Sequence, residues 1–127
     1  MAERAIETQQ AIEDCLDLYA ITKETVAYCL QRGGSLADGR LITTLFTCSD
    51  TCRSTAEFIA LDAELVPQAG AFSAEVCDYT ADACERADAD DEQLAACAEA
   101  ARQCAESCRR LAALTSLPAE EPQLRYD

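Results

Sequence analysis

The chain has 127 residues, of which 50% are hydrophobic and only 6% are aromatic, with no tryptophan. This length is typical of one domain, and an alanine- and leucine-rich composition favours helices over strands. The formal net charge of −14 argues against nucleic acid or an anionic membrane as a partner, because both bind cationic surfaces.

Two helices are predicted in the first half of the chain. The first runs from about Ile6 to Gln31 and stops at the Gly33-Gly34 pair, a strong helix terminator. The second runs from about Gly39 to Leu65, with Asp38 as its N-cap. The next break is predicted at residues 66–70, which contain a proline and a glycine.

Two further helices are predicted in the second half. The third covers about Ala71 to Ala87 and ends at an acidic turn, in which Asp90 or Asp91 caps the fourth helix. The fourth continues to about Leu114. The remainder, residues 115–127, contains two prolines and is predicted to be a flexible polar tail.

Four long helices with short connections predict an all-α fold, an antiparallel up-down-up-down four-helix bundle over residues 1–114. The sequence lacks the alternation and the turn dipeptides that would indicate strands. The first residues are polar and do not resemble an export signal, and no apolar run reaches the ~20 residues of a membrane span. We therefore expect a cytoplasmic protein whose thiols are kept reduced.

Within each predicted helix successive cysteines are four, seven or fourteen residues apart, spacings that keep them on one face. Steps of four and seven residues rotate a side chain by only about 40° and 20° around a helix. In every helix these faces coincide with the apolar seam that points into the bundle. The candidate metal ligands are therefore all nine inward thiols: Cys15, Cys29, Cys48, Cys52, Cys77, Cys84, Cys97, Cys104 and Cys108.

The rise of ~1.5 Å per helical residue predicts which thiols share a depth. On the predicted helix boundaries, one group lies mid-bundle: Cys15, Cys52, Cys84 and Cys97. A second group lies towards one end, namely Cys77, Cys104 and Cys108, and a third, Cys29 and Cys48, towards the other. We expect thiols from different helices to meet mid-bundle.

The thiol chemistry favours Cu(I) among soft metals. Compact zinc sites generally use CxxC pairs, often with histidine, and iron–sulfur loops and thioredoxin-like sites also need close CxxC spacing. The chain has no histidine and no CxxC. Cu(I) needs only two or three thiolates, which CxxxC pairs or pairs between helices can supply.

Two other classes of function remain open at this point. One is a structural or protein-interaction bundle with residual cysteines, whose contact surface would include Tyr19, Tyr28, Phe46 and Phe58. The other is a thiol-based redox, zinc or iron–sulfur protein. An enzyme is not expected, because without histidine there is no imidazole base or triad.

Several segments resemble the four-helix-bundle copper storage protein family, in its cysteine-rich cytosolic form. They are TCSDTCR at 47–53, EVCDYTADACE at 75–85, CAEAARQCAESCRRL at 97–111 and YCL at 28–30, and the similarity covers about residues 6 to 114. Richer members repeat CxxxCxxC along each helix. Other residues fill several of those places here, namely Leu18, Thr22, Thr25, Ser73, Thr80, Leu94 and Ala101, so the chain resembles a cysteine-depleted member.

The resemblance implies a function and an assembly. Such proteins store Cu(I) along the bundle interior through cysteine thiolates and often form tetramers. By resemblance we expect this chain to bind several Cu(I) ions through its nine cysteines, to buffer copper in the cytoplasm, to form a homo-oligomer and to receive copper from a copper chaperone.

Overall fold

The structure is a computed structural model and describes residues 2–115, with side chains from Arg4 onward. In chain order it contains α1 (Ala2–Arg32), a 3₁₀ turn (Gly34–Ala37), α2 (Gly39–Ala60), α3 (Val66–Ala87) and α4 (Glu92–Thr115). Helices α1 and α3 each pack against both α2 and α4. The predicted all-α four-helix bundle is confirmed. Thr115 ends α4, and the rest of the predicted tail lies outside the described residues.

Helix ends are set where capping residues were predicted. The Asp38 carboxylate accepts hydrogen bonds from the backbone N–H groups of Arg40 and Leu41, at 3.2 and 3.3 Å. Asp91 does the same for Leu94 at 2.9 Å, so the second of the two candidate caps begins α4. Each satisfies N–H groups that have no partner within the helix.

The connection between α2 and α3 differs from the prediction. Helix α2 ends at Ala60 rather than near Leu65, and α3 begins at Val66 rather than near Ala71. Pro67 therefore lies in the first turn of α3 instead of in a break, a position where its missing N–H costs nothing. The chain turns between the helices with Asp62 in the left-handed region, at φ 54°.

The bundle interior is closed by apolar side chains near both ends. A buried cluster of Ala11, Ile59, Val66 and Leu111 lies beside the α2–α3 connection. At the opposite end, Leu36 of the 3₁₀ turn is buried with the core. The cysteines occupy the interior between these two ends.

One glycine sets a close approach of α3 to α4. A Cβ at Gly70 would lie 3.1 Å from the carbonyl oxygen of Cys108 and 3.4 Å from Cβ of Ala112. The first distance is shorter than ordinary packing allows. Glycine therefore lets α3 lie directly against the cysteine-bearing segment of α4.

Arginines pair with acids of the neighbouring helix on the outer surface. Arg102 contacts Asp82 and Glu85 at 2.8 and 2.9 Å, and Arg109 contacts Asp78 at 2.7 Å. These pairs are exposed, so each contributes at most about 1 kcal/mol. Among residues 2–115, no helix is both long enough and apolar enough to cross a membrane.

Candidate metal centre

All nine cysteines lie inside the bundle. Each has a relative exposure of 0%, and each is a free thiol. The prediction that steps of four and seven residues point the thiols inward is confirmed. The thiols then divide into three groups according to their neighbours.

The first thiol triad joins α1 to α4. The Cys15 sulfur lies 3.7 Å from the Cys104 sulfur and 3.7 Å from the Cys108 sulfur. All three sulfurs lie within 4.8 Å of one another. Cys104 and Cys108 are one turn apart on α4, so the predicted CxxxC pair is completed by a thiol from another helix.

The second thiol triad joins α2 to α3. It consists of Cys48 and Cys52, again one turn apart, together with Cys77. The Cys52 and Cys77 sulfurs are 3.9 Å apart, and all three lie within 4.8 Å of one another. Both CxxxC pairs of the sequence therefore supply two of the three sulfurs of a triad.

The two triads adjoin each other. Cys15 of the first triad interacts with Cys52 of the second, and Cys104 interacts with both Cys52 and Cys77. Six sulfurs from all four helices thus form one continuous group, which we call the six-thiol group.

The remaining three cysteines form the outer thiols. Cys84 of α3 interacts with Cys97 of α4, and the charge of Cys97 acts on Cys29 of α1. Within the described residues, these three do not come close enough together to form a third triad.

The prediction that thiols of different helices meet mid-bundle is confirmed, and two of the predicted members, Cys15 and Cys52, do meet, but the rest of the predicted membership is wrong. Cys15 and Cys52 meet Cys77, Cys104 and Cys108, which were placed towards one end. Cys84 and Cys97 lie elsewhere, and Cys48 belongs to the second triad. The cause is the α2–α3 connection, which lies about five residues earlier than predicted at both of its ends, so α3 and α4 are shifted along the bundle relative to α1 and α2.

Neighbouring thiols dominate the electrostatics of the interior. Contacts with Cys104 and then Cys108 lower the pKa of Cys15, because they stabilise its thiolate. The pKa of Cys104 is raised, first by Cys108 and then by Cys15. Burial raises the pKa of Cys29, and the charges of Asp91 and Cys97 add to that shift. Within each triad, one thiol has a lowered pKa, Cys15 or Cys77, and its two neighbours have raised pKa values.

The sulfur separations fit a metal bound between three thiolates. With a metal–thiolate bond of about 2.3 Å, the zinc value, three sulfurs in a trigonal plane lie about 4 Å apart. The observed separations of 3.7 and 3.9 Å are close to this value. Each triad would offer a soft cation three sulfur donors, the type of ligand that such cations prefer.

Buried hydroxyls lie on the inward seams between the thiols. Thr22, Thr25 and Thr80 donate to carbonyl groups one turn earlier in their own helices, at 2.8, 2.7 and 2.8 Å. These bonds satisfy hydroxyl groups that are fully buried. The Ser73 hydroxyl is fully buried and makes no hydrogen bond.

A buried acid beside the first triad was not predicted from the sequence. Asp14 is 9% exposed and accepts hydrogen bonds from the Ser107 hydroxyl and from the Gln10 amide, the latter at 3.0 Å. Asp14 precedes Cys15 and Ser107 precedes Cys108, so both flank the thiol seam. The position of both residues directly before a seam cysteine could have indicated this contact from the sequence, but a single aspartate beside a seam is usually exposed to solvent.

Comparison with known proteins identifies the family. The chain is similar to a crystal structure of the Nmul_A1745 protein from Nitrosospira multiformis, at 27% identity and a TM-score of 0.79, covering 87% of this chain and 98% of that one. It is also similar in fold to the Cu(I)-bound copper storage protein BsCsp3, at 24% identity and a TM-score of 0.77, covering 84% and 98%. No protein with a curated description matches it. Residues 4–113 match the copper storage protein family, Csp, and the chain belongs to that family.

Proposed function

We propose that this protein stores Cu(I) as a cluster held by the six-thiol group. The observation that carries the proposal is the convergence of six fully buried sulfurs from four helices into two adjoining triads. Thiolates are soft donors that suit Cu(I). BsCsp3, which shares the fold, is a Cu(I)-bound storage protein.

The number of sulfurs in the six-thiol group limits how many Cu(I) ions it can hold. If each triad holds one ion without sharing ligands, it takes about two Cu(I) ions. If every thiolate bridges two ions and each ion has three thiolates, six sulfurs hold about four. The adjoining triads favour bridging, so we propose about four ions, with Cys29, Cys84 and Cys97 as weaker additional ligands.

An anaerobic titration of the reduced protein with Cu(I), against a chromophoric Cu(I) chelator, tests this function. We expect several equivalents to be retained by the wild-type chain. Replacing Cys15, Cys52 and Cys77 by serine removes members of both triads and is expected to abolish tight retention. The matched control replaces Cys29, Cys84 and Cys97 and is expected to keep most of the load.

Two outcomes would contradict the proposal. If the wild-type chain retained no Cu(I) against even a weak chelator, the cysteines would serve only as buried packing residues. A structural role for the bundle would then replace copper storage. If both triple variants lost copper equally, the two triads would not be the site. A visible chromophore in the isolated protein would favour iron–sulfur binding instead.

We infer that the role is storage and buffering rather than catalysis. The thiols are enclosed by helices and by apolar ends, which suits holding an ion more than admitting an organic substrate. Nine free thiols need a reducing compartment, which supports a cytoplasmic location and delivery by a copper chaperone. Thiol trapping in cell extract tests whether the cysteines are reduced in the cell, since it should label all nine of them after copper is removed.

We also propose a homo-oligomer, a tetramer by the family resemblance, formed through the α2–α3 face. Two surface pockets of about 380 Å³ each meet at Phe72, which is 56% exposed. The pockets are lined largely by threonine and aromatic side chains, with Glu75 and Asp50 as the acids. In a chain with net charge −14, two copies repel least through such a face.

Sedimentation of the wild-type chain and of Phe72→Glu tests the face. The variant is expected to dissociate into smaller species while it still binds copper. An unchanged assembly would move the interface elsewhere. Of the aromatic residues predicted to form a contact surface, Phe58 borders this face, whereas Tyr19 and Tyr28 are packed against the core.

We further propose that residues 1–114 form the complete domain. Among the described residues, the four helices close on one another, with α1 packed against α4. A chain truncated after Thr115 is expected to unfold at the same temperature and to bind as much copper as the full chain. A lower melting temperature would show that residues 116–127 belong to the fold.

A further inference from the structure

Ser73 has a buried hydroxyl whose proton is not used. Its relative exposure is 0%, and its oxygen has no hydrogen-bond partner in the described part of the chain. A buried polar group without a partner is costly, so such groups are rare and usually have a reason.

The hydroxyl lies beside a thiol of the six-thiol group. Ser73 is one helical turn before Cys77 on the inward seam of α3, and residues four apart face the same way. The two groups are therefore neighbours, although no formed hydrogen bond joins them.

The other seam hydroxyls differ from Ser73. Thr80 acts on Cys48, and Thr25 on Cys97, but both protons are already donated to carbonyl groups of their own helices. Ser73 alone on the thiol seam combines an unused proton with a neighbouring ligand.

We propose that Ser73 is a positioning residue for the copper cluster, donating a hydrogen bond to the Cys77 thiolate when Cu(I) is bound. The inference rests on the proposed copper storage function and adds a specific role for one oxygen. Serine at this place is then a second-sphere donor rather than a ligand lost from the seam.

A charged sulfur is the acceptor that suits the Ser73 donor. In the metal-free structure the Ser73 hydroxyl makes no hydrogen bond. A bound Cu(I) ion would leave its cysteine ligands as thiolates in an interior of low polarity. A hydrogen bond to a charged acceptor is about twice as strong as one between neutral groups, so the donor contributes mainly to the loaded state.

Ser73→Ala tests the inference because the two states should respond differently. Removing an unsatisfied hydroxyl should leave the stability of the metal-free chain unchanged or raise it. Cu(I) should be lost to a competing chelator at least about tenfold more readily, the scale of a hydrogen bond to a charged group. The thiolate-to-Cu(I) absorption should also shift, because the donor changes the electron density on sulfur.

The matched control is Ser49→Ala. Ser49 is the other buried hydroxyl without a partner, but it follows Cys48 and so lies about 100° around α2 from the thiol seam. Its removal should leave copper retention unchanged. In Ser73→Thr the hydroxyl should donate to the carbonyl group one turn earlier, as it does in Thr22, Thr25 and Thr80. This variant should therefore lose copper as Ser73→Ala does, and it preserves the test if the alanine variant folds poorly.

The outcomes separate this inference from the proposed function. Failure of the wild-type chain to retain copper would overturn both. Wild-type retention matched by Ser73→Ala would overturn only the role of Ser73. Equal losses of metal-free stability and of copper retention in Ser73→Ala would show a packing role and would also contradict the inference.

Discussion

Replacing Cys104 by alanine should cost copper capacity far more than the same change at Cys29. Cys104 contacts Cys15 at 3.7 Å and interacts with the thiols of the second triad, so it connects both halves of the six-thiol group. Cys29 lies outside both triads. Five bridging thiolates hold about three ions where six hold about four, so Cys104→Ala should lose about one equivalent.

The structural cost of the two changes should be similar. Both thiols are fully buried, and each substitution removes one sulfur and leaves a small cavity. The combined transfer and cavity terms predict a loss of about 1–2 kcal/mol in the unfolding free energy of either metal-free variant. The comparison therefore separates copper binding from packing.

The assay combines two measurements on each variant. Urea unfolding of the metal-free protein gives the stability loss, and anaerobic titration against a chromophoric chelator gives the number of Cu(I) ions retained. Equal copper loss from both variants, or none from Cys104→Ala, would refute the assignment of the six-thiol group as the cluster site.

Three further predictions concern copper loading, the contact of Ser107 with Asp14, and Gly70. Copper loading should raise the unfolding free energy by about 2.7 kcal/mol for each independent site when the free Cu(I) concentration is one hundred times the dissociation constant of that site. Scanning calorimetry with and without a chelator measures this increase. An unchanged melting temperature would contradict the prediction. Ser107→Ala removes one of the two donors to the buried Asp14 carboxylate and should destabilise the chain by about 1–3 kcal/mol in urea, whereas exposed Ser35→Ala should be neutral; equal effects would argue against this buried contact. Gly70→Val should cost about 1–3 kcal/mol by overpacking against the Cys108 carbonyl, and denaturant unfolding as stable as wild type would show that α3 and α4 separate freely there.

The inward direction of the thiols could be predicted from sequence because it depends only on local helix geometry. Steps of four and seven residues fix a face whatever the helix packs against, and the caps at Asp38 and Asp91 are equally local. The bundle then follows from four seams and short connections.

The grouping of the thiols could not be predicted reliably because it depends on helix register. Placing the break at residues 66–70 made α2 too long and α3 too short by about five residues each. This error displaced Cys77 and Cys104 from Cys15 along the bundle. A proline in this position is compatible with either a break or a first turn. The Asp14–Ser107 contact likewise depends on how α1 and α4 pack, which neither residue reveals alone.

X-ray absorption at the copper edge of the anaerobically loaded protein tests the central claim most directly. Binding in the six-thiol group predicts a first shell of sulfur alone, with neighbouring copper scatterers because adjoining triads share thiolates. Replacing Cys15, Cys52 and Cys77 should remove the copper–copper signal, and replacing the outer thiols should preserve it. A shell containing nitrogen or oxygen, or isolated copper ions without copper neighbours, would contradict the account.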